Sequence, residues 1–84
     1  MHVLASGTFT DRDKIGPLLQ AEIARVHELR EQGLVPGAYR RADGTGVELL
    51  LEVSSLKEAS ERLSELPFAK AGLLRFDFVE LIEL

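Results

Sequence analysis

One glutamate stands where helix packing calls for an aliphatic side chain. Ile15, Leu19, Ile23, Val26 and Leu29 recur at helical spacing and share one face. On that wheel Glu22 falls among Ile15, Leu19, Val26 and Leu29, near the middle of the stripe. A carboxylate there is costly unless it is paired or protonated. Burial would raise its pKa and suit it to proton transfer near neutral pH. The competing reading lifts this helix end from the sheet and leaves Glu22 in solvent or in a structural ion pair. His27 lies at the edge of the same helix, off the stripe, with an exposed or capping role as its plainer reading. Tyr39 and Arg40 point to opposite faces of a strand, so one of them is a candidate to line a cleft. A guanidinium pairs well with a planar carboxylate; a core tyrosine and a solvated arginine form the plainer pair of roles. Ser6 sits mid-strand and is a candidate to face a ligand.

The remaining composition narrows the chemistry. The chain has no cysteine, which removes disulfides, thiolate metal sites and cysteine nucleophiles. Two histidines and no acidic cluster at ligand spacing argue against a metal site. No Gly-x-Ser-x-Gly elbow surrounds any serine. Gly44-Thr45-Gly46 lies in a hairpin rather than before a helix, so it is no phosphate loop. With 14 acids against 10 bases the net charge is −4, and the bases are scattered, unlike a nucleic-acid binder. No apolar run approaches the ~18–20 residues that span a bilayer, so no membrane association is expected. Met1 to Gly7 reads as a strand and lacks the parts of a signal peptide, and a cytoplasmic location is expected.

The 84 residues, 45% hydrophobic and 29% charged, suit one globular domain over residues 1–84. His2 to Phe9 reads as a strand, and Thr10 or Asp11 can cap a helix after it. That first helix begins near Gly16 with Pro17 in its first turn, or a short turn precedes it; Gly33 stops it. Val35 to Arg41 is the second strand, Asp43-Gly44 the hairpin turn, and Val47 to Val53 the third strand. Val47, Leu49, Leu51 and Val53 face one side of it, and Glu48, Leu50 and Glu52 the other. Ser55-Leu56-Lys57-Glu58 opens a second helix as a capping box, and Pro67 ends it. A last strand runs from Leu73 to Ile82. The order βαββαβ predicts a ferredoxin-like α+β fold: a four-stranded antiparallel sheet with two helices on one face.

Two short helices cover one sheet face only, yet the strands are apolar on both. Leu74, Phe76, Phe78 and Ile82 share one face of the last strand, and Leu73, Val79 and Leu81 the other; Leu4 and Leu50 extend the pattern. This predicts a homodimer or higher homo-oligomer, with Phe76 or Phe78 among the residues that a second subunit covers.

Glu22, the run Gln32-Gly33-Leu34, Tyr39-Arg40, the hairpin, Glu52-Val53-Ser54-Ser55 and Leu66-Pro67-Phe68 resemble the muconolactone isomerase-like family and, more distantly, YCII-related proteins. The resemblance covers nearly the whole chain. It implies a dimeric α+β barrel, in which two sheets pack face to face, and a cleft between helix and sheet. It implies proton transfer across a small unsaturated lactone or enol-type acid without metal or organic cofactor. Glu22 matches a glutamate of the isomerases and an acid–base histidine of the YCII-related proteins. Tyr39 replaces the usual tryptophan before the arginine, Ala69 to Leu73 is longer than in the isomerases, and their C-terminal tail is not present after Leu84. The expectation is therefore an isomerase-like protein with Glu22 as acid–base group and a small-molecule ligand positioned by Tyr39 or Arg40, with Ser6 and His27 as further binding candidates. The alternatives are a non-enzymatic binding or assembly domain of the same fold and a cofactor-free monooxygenase-like barrel.

Overall fold

The computed structural model describes residues 1–84. Four strands form one antiparallel sheet: β1 (His2–Phe9), β2 (Gly37–Arg40), β3 (Gly46–Glu52) and β4 (Leu74–Leu81), in spatial order β2-β3-β1-β4. Three helices intervene: α1 (Leu19–Glu31) between β1 and β2, then α2 (Leu56–Leu63) and α3 (Pro67–Lys70) between β3 and β4. Each crossover skips the strand between its two partners, which is the ferredoxin-like arrangement.

The register identifies the two faces. Val3 and Ala5 of β1, with Leu49 and Leu51 of β3, are buried together with Leu29, Val35, Ala59, Leu63 and Leu66 in the main core. A second cluster, Phe68, Leu73 and Leu74, packs against Phe9, Ile15, Leu18 and Phe76. Phe76 and Phe78 pair with Gly7 and Ala5 and therefore belong to the helix-facing side. Their expected place on the uncovered face is corrected: Gly7 leaves room there, and a Cβ on it would sit 2.7 Å from the Phe76 ring. The open face carries Leu4, Leu50, Val79 and Leu81 instead, set by the opposite parity of the same registers.

Two boundaries shift by two residues or more from the sequence reading. The second strand starts at Gly37 rather than Val35, because Val35 is buried in the core and Pro36 has no N–H to give the ladder. The second helix stops at Leu63, and Pro67 opens the separate helix α3 at its first position, where a missing N–H costs nothing. The capping box forms by half: the Glu58 N–H donates to Ser55 Oγ at 3.0 Å, while the Glu58 carboxylate accepts from Ser54 Oγ at 2.7 Å. Before α1 the chain makes two short 3-10 turns, Arg12–Lys14 and Gly16–Leu18, so the turn reading of Gly16-Pro17 holds. No helix is long and apolar enough to cross a membrane.

Candidate active site

Helix α1 does not lie flat on the sheet. Leu29 near its C-terminal end is fully buried, but Ile23 is 55% exposed and Leu19 is exposed as well. Its N-terminal half stands off from β2 and β3 and leaves a cleft of about 1060 Å³. The apolar wall comes from Phe9, Ile15, Val26, Ala38, Val47 and Leu49. Phe68 closes one end, its ring edge-on to Phe9 at 5.7 Å between centroids.

Glu22 lines this cleft and is only 7% exposed. The helix end is thus lifted, as one expectation had it, yet Glu22 stays buried, as the other required. Its Oε1 accepts the Phe68 N–H at 2.9 Å, which satisfies one of the orphan donors at the start of α3. No ion pair reaches Glu22. Burial raises its pKa above the ordinary 4.5, and the Phe68 N–H, which favours the charged form, opposes that shift without cancelling it. Because Oε1 is engaged, Oε2 is the oxygen left for a ligand.

The other candidates separate. Arg40 pairs with Val47 in register, which puts its side chain on the helix side, and it lines the cleft. Tyr39 pairs with Glu48, so its ring belongs to the open face; it lies over Gly37 beside Leu50 and is 62% exposed. Tyr39 thus borders the cleft from the edge strand with its side chain exposed, not as the core tyrosine of the plainer reading. Ser6 is also on the open face. Its hydroxyl donates to Glu48 Oε2 and accepts from Arg41 Nη2, both at 2.9 Å, so it takes no part in the cleft. His27 stands at the cleft edge, exposed, with Nε2 2.7 Å from Glu31 Oε1 one turn on.

Arg12 and Arg30 also line the cleft. Neither stands out in the sequence, because an arginine in a turn or in the last turn of a helix carries no periodicity signal. No three histidine, aspartate or glutamate side chains converge as metal ligands.

No family model matches the sequence, and no curated protein sequence does either. Among solved structures, the chain is similar to 5-chloro-2-hydroxyhydroquinone dehydrochlorinase (TftG) from Burkholderia phenoliruptrix AC1100, determined in complex with 2,5-dihydroxybenzoquinone. The TM-score is 0.82 at 19% identity, over 98% of this chain and 94% of the other. The two proteins share one fold: an α+β ferredoxin-like sheet with its helices on one face.

Proposed function

We propose that the chain catalyses cofactor-independent proton transfer on a small unsaturated ring compound, a lactone or an enol-type acid, with Glu22 as the acid–base group. The observation that carries this reading is a buried carboxylate in the wall of a cleft, with one oxygen held by a backbone N–H and the other without a hydrogen-bond partner. In the reaction Oε2 takes a proton from a carbon next to a carbonyl, and the bonding pair moves into the ring as an enolate. The same oxygen returns the proton at the far end of the conjugated system, so a double bond has moved and the glutamate is restored. A raised pKa brings Glu22 nearer the point where taking and returning a proton are balanced. The fold neighbour supports the reading in kind: a dehydrochlorinase eliminates hydrogen chloride, here from a hydroxylated ring, and that chemistry also asks for removal of a proton.

The test is deuterium exchange into small unsaturated lactones and enolisable ring ketones, followed by NMR in heavy water. Glu22→Gln keeps a carbonyl oxygen for the Phe68 N–H, so the fold is expected to stand while exchange falls by about 100-fold or more. Exchange unchanged by the substitution would sink the assignment. One observation favours a binding-only reading: Glu22 already has a structural task in anchoring α3. In that case no candidate ring exchanges in the wild-type protein, although ligands still bind.

The active form on this reading is a homodimer joined through the open sheet face. Leu4 and Leu50 are half-buried there, and Val79 is 51% exposed, with Leu81 and Tyr39 beside them. Apolar groups clustered on one face are what a second subunit would remove from water. Sedimentation that shows a monomer at micromolar concentration would refute it.

A further inference from the structure

We infer that the cleft is built to hold a planar organic anion, gripped by Arg12 and Arg40 on the hairpin side of Glu22; this rests on reading the cleft as the ligand site. The chain is acidic, with 14 acids against 10 bases, and four of its ten lysines and arginines form ion pairs. Arg25 pairs with Glu28 and Glu65, Arg41 with Glu48, Lys14 with Asp11, and Lys57 with Glu61. Arg12, Arg30 and Arg40 line the cleft, have no carboxylate within 4 Å and donate no side-chain hydrogen bond. Arg62, which donates to Gln32, and the exposed Lys70 and Arg75 also lack ion partners, but none of them lines the cleft. Three guanidinium groups without an ion pair line one concave site, with Asp13 and Glu22 as its acids and Asp43 near Arg12 at the hairpin, and this excess favours a negative ligand.

Position separates the three. Arg12 comes from the turn before α1, and its guanidinium rests over Gly44 at the hairpin tip. A Cβ on Gly44 would lie 2.6 Å from Arg12 Nη2, and the φ of +74° also suits only glycine. Arg40 ends β2 next to the same hairpin. Glu22 is in the first turn of α1, which begins at this end of the sheet. Arg30 is eight residues further along the helix, about 12 Å away at 1.5 Å per residue, and it suits the negative C-terminal end of α1. Arg12 and Arg40 are therefore the contact pair, and Arg30 adds only to the field. A guanidinium fork matches a carboxylate or a ring enolate, and both present oxygens in one plane. Pairing that charge with the two guanidinium groups would lower the cost of the second negative charge that forms when Glu22 Oε2 takes a proton from the same conjugated system.

The experiment is an NMR titration at low salt with three probes: benzoate for the carboxylate, 4-hydroxycoumarin for the ring enolate, and benzamide as an uncharged shape match. At least one anion is expected to shift the amide resonances around Gly44 and Phe68 at millimolar concentration. Benzamide should bind about tenfold more weakly or worse. Arg12→Gln and Arg40→Gln should each weaken the anion about tenfold, as loss of one charge-assisted contact does. Arg30→Gln should weaken it by less than about threefold, as expected of a screened, distant charge. Equal binding of benzamide, no shift by either anion, or an Arg30→Gln effect as large as that of Arg40→Gln would overturn the inference. Glu22→Gln separates it from the proton-transfer reading. If that variant still exchanges protons but the arginine variants lose the anion, the catalytic assignment fails and the anion site stands. If exchange depends on Glu22 but uncharged rings exchange as fast as charged ones, the anion site alone fails.

Discussion

Leu50 and Leu51 are neighbours in β3 and meet different surroundings. Leu51 is 1% exposed, locked in the core between sheet and helices, while Leu50 is half-buried on the open face beside Tyr39. Arg40 and Arg41 divide in the same way. Arg41 on the open face is fully engaged, with Nε on Glu48 at 2.9 Å, Nη2 on Ser6 at 2.9 Å and Nη1 on Thr8 at 3.1 Å. Arg40 on the helix side has no ion partner. At these positions the open face has its arginine satisfied and its leucine partly uncovered. The helix side has its leucine covered and its arginine without an ion partner. The first pattern suits the proposed subunit contact, and the second the proposed ligand site.

Consecutive substitutions would break or sharpen this contrast. Leu51→Ala is expected to cost about 2–5 kcal/mol in chemical denaturation, as core truncations do. Leu50→Arg should leave monomer stability nearly unchanged and shift self-association, read by sedimentation, toward monomer by about 100-fold or more, since a buried unpaired charge costs several kcal/mol. If both variants lose the same stability and both remain associated, the two faces do not have these separate roles. Arg41→Ala should cost about 1–3 kcal/mol, because it removes the cation that Ser6 and Glu48 share and leaves them only their bond to each other. Arg40→Ala should stay within about 0.5 kcal/mol of the parent by the same denaturation measurement.

The smallest expected effect is a pH dependence. Glu22 has a folded pKa raised above its ordinary 4.5, so the unfolded chain holds fewer protons than the folded one between those two values. Its contribution to stability is therefore lost as pH rises from about 4.5 through the folded pKa. Glu22→Gln removes that slope. Subtracting its stability profile from that of the parent should give a difference that declines with rising pH and levels off once Glu22 is ionised. A flat difference would mean that burial does not perturb the group.

Much of this was legible in the residues. The strands announced themselves by alternation, the turns by Gly33 and Asp43-Gly44, and Glu22 by interrupting an apolar stripe. Which face of β4 met the helices was not legible, because Phe76 and Phe78 on one parity and Val79 and Leu81 on the other are both apolar. The glycine across from Phe76 is the signal that would have settled it. The tilt that opens the cleft was also hidden, since Leu19 and Ile23 have the same pattern whether α1 lies flat or stands off. The partner of Glu22 is a backbone N–H 46 residues away, and no side-chain pattern encodes it.

That last contact makes the cleft observable without any substrate. The Phe68 amide proton points at Glu22 Oε1, so its chemical shift should follow the charge on that carboxylate. A single backbone resonance would then report the ionisation midpoint of the candidate acid–base group. The same resonance would show whether a ligand that enters the cleft takes the proton, leaves it, or pushes the acid aside.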